Sequence, residues 1–174
     1  VMVVFSDRIY GGRDVQKRST YSVTALNQVE GGLLGVSRDE DIFYYYKSTR
    51  PHTVSSRFCV DGLEKLPKVG ILYFHIDTDP ALVSCMAELY EGLVIAGAGA
   101  GGTSRPVADE YKKLSIPRVI ASRIACGPVT QHMASMSGSI AANNLPPQKA
   151  AVLLRLALTQ TTDLEELKQI FAEY

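Results

Sequence analysis

Two stretches of the chain have residue types and spacings suited to chemistry. Gly97-Ala-Gly99-Ala-Gly101-Gly102 fits G-x-G-x-x-G and lies between a strand-like and a helix-like segment. There a dinucleotide's pyrophosphate can rest on glycine backbone and a helix N-terminus. Such sites usually end the next strand with an acid that holds the ribose; this one ends in Ser122-Arg123, so only the NADP form, with Arg123 on the extra phosphate, suits it. The competing reading, which we prefer, is a plain glycine-rich turn after a parallel strand, lining whatever cleft the carboxyl ends of the strands create. The second stretch holds Lys17, with Asp14, Ser19 and Thr20 nearby in a polar loop. An ordinary lysine ammonium keeps its proton up to about pH 10.4, so a lysine acts as a base only when burial or a neighbouring cation disfavours its charge. Without that, Lys17 is a solvated surface lysine.

The remaining reactive residue types are dispersed. Cys59, Cys85 and Cys126 are odd in number and form no C-x-x-C pair, so buried small hydrophobes are expected rather than disulfides or thiolate ligands. His52, His75 and His132 form no H-x-H or H-E-x-x-H pattern, and neither a metal site nor a cofactor is expected. Eighteen basic residues balance eighteen acidic ones, which removes any global pull toward nucleic acid or an anionic membrane. No apolar run approaches the roughly 20 residues of a membrane helix.

The elements that must position these residues change character along the chain. Residues 1–5 are a short β-branched run expected to form a buried strand closed by Ser6-Asp7. Asp39-Glu40-Asp41 reads as a hairpin tip, and the aromatic run 42–46 as its return strand, with the tyrosines packing. Residues 47–66 turn polar and irregular around Pro51, the composition of a connector. Beyond it a buried strand at 69–74 and strands at 92–96 and 119–122 alternate with helices at 80–89 and 106–114. A weaker strand follows at 139–142. Pro147 opens a long helix, and Asp163 caps a last one over 164–171 with Leu164, Leu167 and Phe171 on one face. The fold class is α/β: the end of a larger α/β domain (a strand plus a hairpin, 1–46), a linker (47–66), and a small open parallel-sheet α/β domain with crossover helices (67–174). The chain begins on a strand-like run without an initiator Met, so upstream sequence is expected.

Several segments also resemble one family. Gly11-Gly-Arg-Asp-Val-Gln-Lys17-Arg-Ser-Thr20 resembles the G-R-D-V-x-K-x-x-T segment of bacterial type II asparaginases. The stretch 66–73, Leu-Pro-Lys-Val-Gly-Ile-Leu-Tyr, is similar to the strand that opens that family's C-terminal domain. The stretch 145–161 resembles its L-N-P-Q-K-A-R-V-L-L-Q-L-A-L-T-Q-T helix, and the ending 169–174 resembles the family's C-terminus. The likeness runs the length of the chain, in order.

The resemblance implies an amidohydrolase that cleaves the side-chain amide of L-asparagine, and in some members L-glutamine, through a threonine nucleophile. A second threonine, a lysine and an aspartate form an activating set, and Lys17 is the matching lysine. No T-G-G-T-I-like or D-G-T-D-T-like segment occurs in the chain, so both threonines are expected upstream, and the chain alone is expected to be inactive. The resemblance further implies a homotetramer and favours a periplasmic or secreted enzyme over a cytoplasmic one. Two departures bear on substrate. Ala100 stands where the family's G-x-G-N-G turn has asparagine, and the stretch 130–145 has no acid where a neighbouring subunit's glutamate receives the substrate ammonium. A lost charge-assisted contact of ~1.5 to 3 kcal/mol relaxes discrimination roughly tenfold or more. The alternatives are an NADP-binding domain and a non-catalytic assembly partner.

Overall fold

The computed structural model describes residues 1–28 and 30–174. It divides into two compact units, Val1–Arg57 and Phe58–Tyr174.

The first unit is antiparallel. Strand β1 (Met2–Phe5) turns into β2 (Arg8–Gly11) through Ser6 and Asp7, at φ 49° and 59°. Two consecutive positive φ values match the right-handed twist of the paired strands. A ribbon of β3 (Val15–Lys17) and β4 (Leu26–Gln28) follows, then β5 (Gly35–Arg38) and β6 (Asp41–Tyr44), whose hairpin tip has Asp39 at φ 52°. The main sheet runs β1-β2-β5-β6, and β3-β4 forms a separate pair. Ile9 and Tyr10, on opposite faces of β2, are buried, and the Tyr10 hydroxyl donates to the Leu26 carbonyl at 2.9 Å.

Three expectations fail here. Residues 1–5 are not a buried strand: β1 is a sheet edge, with Met2 54% and Val4 64% exposed. The aromatics 42–46 do not pack, because β6 is the opposite edge and both of its faces are open. The polar stretch 13–20, read as loop, contains β3. A ribbon strand that is nowhere fully buried tolerates Gln16 and Lys17, so polarity hid it.

The second unit is an open α/β sheet. Strands β7 (Val69–Tyr73), β8 (Gly92–Gly97), β9 (Arg118–Ser122) and β10 (Ile140–Ala141) pair in parallel in the order β10-β9-β8-β7. Each successive strand adds on the same side without reversal. Crossovers of one hand therefore place α1 (Ala81–Leu89), α2 (Arg105–Lys112) and α3 (Gln131–Ser135) on one face. There Val83, Val107, Tyr111 and Ala134 pack on Leu72, Leu93, Ile95 and Ile120. Helices α4 (Pro147–Ala157) and α5 (Leu164–Glu173) cover the other face, where Ala150, Leu154, Leu167, Ile170 and Phe171 meet Val94, Val119, Ala121 and Ile140. Side chains alternate along β8 between the two cores, so all six of its residues are buried. Strand β7 is an edge rather than a buried strand, with Ile71 and Tyr73 exposed.

Arg118 joins the ends of two helices. Its guanidinium donates to the Leu114 carbonyl beyond α2 (2.8 Å) and the Ser137 carbonyl beyond α3 (3.1 Å), and partial burial pulls its pKa down. The cysteines are not buried small hydrophobes: Cys59, Cys85 and Cys126 are all exposed, Cys85 on the outward side of α1. Among the described residues no helix is long and apolar enough to cross a membrane.

Candidate functional site

Lys17 ends β3, directly opposite Leu26, and is exposed. The ribbon closes behind it through Arg18 N–H to the Ala25 carbonyl at 2.7 Å. The loop 19–24 is organised by hydroxyls: Ser19 Oγ accepts from the amides of Tyr21 and Ser22, and Ser22 and Thr24 share a hydrogen bond. Asp14 pairs with Arg13 at 2.7 Å. Asp14 and Ser19 thus have partners other than Lys17. The side chain of Lys17 is exposed among the described residues of its own unit, and a lysine serves as a base only where its ammonium is desolvated.

The other candidates, 97–102 and Arg123, belong to the second unit. The turn is closed on itself: Ala98 N–H donates to the Gly102 carbonyl, and the Gly101 and Gly102 amides both donate to the Ala98 carbonyl, at 2.7 to 3.0 Å. Gly97 is required because a Cβ there would lie 2.3 Å from the Gly101 carbonyl oxygen. Helix α2 starts three residues after Gly102, capped at Ser104. A dinucleotide fingerprint needs amides pointing out at a pyrophosphate and a helix starting directly behind them. Here the Ala98, Gly101 and Gly102 amides are spent inside the turn.

Arg123 is committed as well. Its Nη1 donates to the Phe74 carbonyl at 2.8 Å, its guanidinium lies over the Tyr73 ring at 5.9 Å, and its backbone N–H donates to the Gly97 carbonyl at 2.9 Å. The NADP alternative therefore fails on geometry, and the plain-turn reading stands. The sheet also lacks a reversal of strand order, the place where open α/β sheets form a ligand crevice.

Sequence reasoning passed over Ser122. It is 8% exposed at the end of β9, donates through Oγ to the Gly99 carbonyl and accepts from the Ile124 amide at 2.9 Å. Thr78 is a second buried hydroxyl, exchanging bonds with the His75 backbone in the loop after β7. Their only sequence signal is a hydroxyl just after an apolar run, too common a pattern to single them out.

Comparison with known proteins agrees with this architecture. The family described as Glutaminase/Asparaginase C-terminal domain matches residues 68–171. L-asparaginase 2 of Escherichia coli (strain K12) is 37% identical over 181 residues, covering 100% of this chain and 52% of that protein. The glutaminase-asparaginase of Pseudomonas fluorescens biotype A is 29% identical over 182 residues, covering 100% and 50%. The crystal structure of a probable cytoplasmic L-asparaginase from Campylobacter jejuni superposes with a TM-score of 0.94 at 35% identity, covering 100% of this chain and 57% of that one. The chain spans about half the length of the curated relatives it matches. With residues 68–171, more than half of its length, matched by that family, the chain belongs to the glutaminase/asparaginase C-terminal domain family.

Proposed function

We propose that the chain is the C-terminal half of an L-asparaginase-type amidohydrolase, which hydrolyses the side-chain amide of asparagine, or of glutamine, to the acid and ammonia. The observation that carries this is the end-to-end match of the chain to the C-terminal halves of L-asparaginases and glutaminase-asparaginases. The exposed position of Lys17 fits the same reading. A hydroxyl nucleophile needs an activating partner, and a lysine serves only where its ammonium is desolvated. In this reading the covering surface and the threonines come from the other half, Lys17 activates one threonine, and the chain alone turns nothing over. The exposed apolar edges β1 and β6 are also the kind of surface that a larger assembly covers, in line with a homotetramer.

The test is ammonia release from asparagine and glutamine by the chain joined to its upstream coding sequence, in wild-type form and as Lys17→Met. We expect activity in the extended wild type, a fall of about 10³-fold or more in kcat for the variant, and none from residues 1–174 alone. An extended chain that releases no ammonia from either substrate overturns the reading. A Lys17→Met variant with wild-type kcat overturns the role of Lys17.

A further inference from the structure

One dipeptide ties together the carboxyl ends of three strands. Arg123 reaches the loop after β7 through the Phe74 carbonyl and holds the start of the turn after β8 through Gly97. Ser122 holds that turn's tip through the Gly99 carbonyl and fixes the start of the loop after β9 through the Ile124 amide. Neither side chain is where packing alone would put it. A buried hydroxyl costs stability unless it is bonded, and Ser122 is bonded to two loops rather than to its own strand. Arg123 is exposed, yet its guanidinium turns back onto a carbonyl and an aromatic ring instead of extending into water. Binding groups are disproportionately carried on loops that a rigid scaffold positions. The pair joins loops of this kind.

We propose that Ser122 and Arg123 are positioning residues: they hold the Gly99-Ala100 tip and the two adjoining loops in the single arrangement that this unit presents to the amide substrate. The inference rests on the amidohydrolase reading for the identity of that substrate. Neither residue touches the reacting atoms. Losing the clasp therefore weakens substrate binding more than the chemical step.

The experiment uses the extended chain with Arg123→Met, which removes the donors but keeps the aliphatic stem, and Arg123→Lys, which keeps one donor. Ser122→Ala and Ser122→Thr form the second pair. Ammonia-release kinetics, melting temperature and amide exchange at Ile124 and across 97–102 are read for each. The clasp predicts KM raised about tenfold with kcat within about twofold in Arg123→Met and Ser122→Ala, at little change in melting temperature. It also predicts faster exchange at Ile124 in Ser122→Ala, and recovery of most of the KM change by Lys and by Thr. Wild-type KM in both deletion variants overturns the proposal. So does a KM change that follows the melting temperature and is recovered by neither conservative variant. A wild-type extended chain without ammonia release removes the amidohydrolase reading and the substrate-facing role with it. Exchange at Ile124 then shows separately whether the clasp orders the loops.

Discussion

Gly101 and Gly99 sit two residues apart in the same turn under different constraints. Gly101 has φ +94°, and a Cβ there would lie 2.4 Å from Cγ2 of Ile120; Gly99 has φ +51° with nothing within 4 Å. Gly101→Ala adds backbone strain to a clash with a core strand, and we expect a loss of roughly 2–4 kcal/mol. Gly99→Ala adds strain alone, about 1 kcal/mol. Denaturant unfolding of the two variants decides it, and equal losses would mean that packing on Ile120 does not fix the turn. This turn also marks how far single residues could be read. Spacing announced a glycine turn after a strand, but whether its amides faced a ligand or one another depended on the Ala98–Gly102 closure, which no local pattern encodes. Lys17 was singled out as a candidate through the resemblance of its segment, whereas its place on a ribbon strand was not legible, because β3 is short and polar.

Elements were readable where a local interaction defines them. Asp163 was legible as a cap, and its Oδ1 accepts from the Glu166 amide at 2.9 Å, with Glu165 and Glu166 adding negative charge in the first turn of α5. Asp163→Ala is expected to cost about 1 kcal/mol and Asp163→Asn only a few tenths, because asparagine keeps the acceptor. The chemical midpoint of unfolding measures both, and an equal loss in the two variants would trace the effect to charge rather than to the cap. The buried run of β8 was legible for a similar reason, since a strand covered on both faces reads as continuously apolar. Helix α3 was not. Its five residues are too few to show a period, and it is held by Thr130 at its start and by the Gln131 side chain bonding to Ser139 and Ala141. The Gln131 contacts form only once β10 is in place.

At the scale of the whole chain, the two units differ in how much they bury. In Val1–Arg57 the buried hydrophobics among the described residues are Ile9, Tyr10 and Ala25, while Val4, Ile42, Tyr44, Tyr45 and Tyr46 are each more than half exposed. In Phe58–Tyr174 two cores lie on either side of one sheet, and the Phe58 and Tyr174 rings meet at a tilt of 45° with centroids 5.0 Å apart. The sequence signalled β1 and β6 from a β-branched and an aromatic run. It overestimated their burial, because such a run reports a preference for sheet without saying what covers it. Conformational entropy opposes folding in proportion to length, so a unit with so small a core does not repay the ordering of its backbone. We therefore expect residues 58–174, produced alone, to unfold in urea as one cooperative transition with native-like circular dichroism, and residues 1–57, produced alone, to show no transition. A cooperative transition for 1–57 would show that its sheet is self-sufficient. The exposed aromatics of β6 would then be ordinary surface, and the support they lend to a larger assembly would be gone.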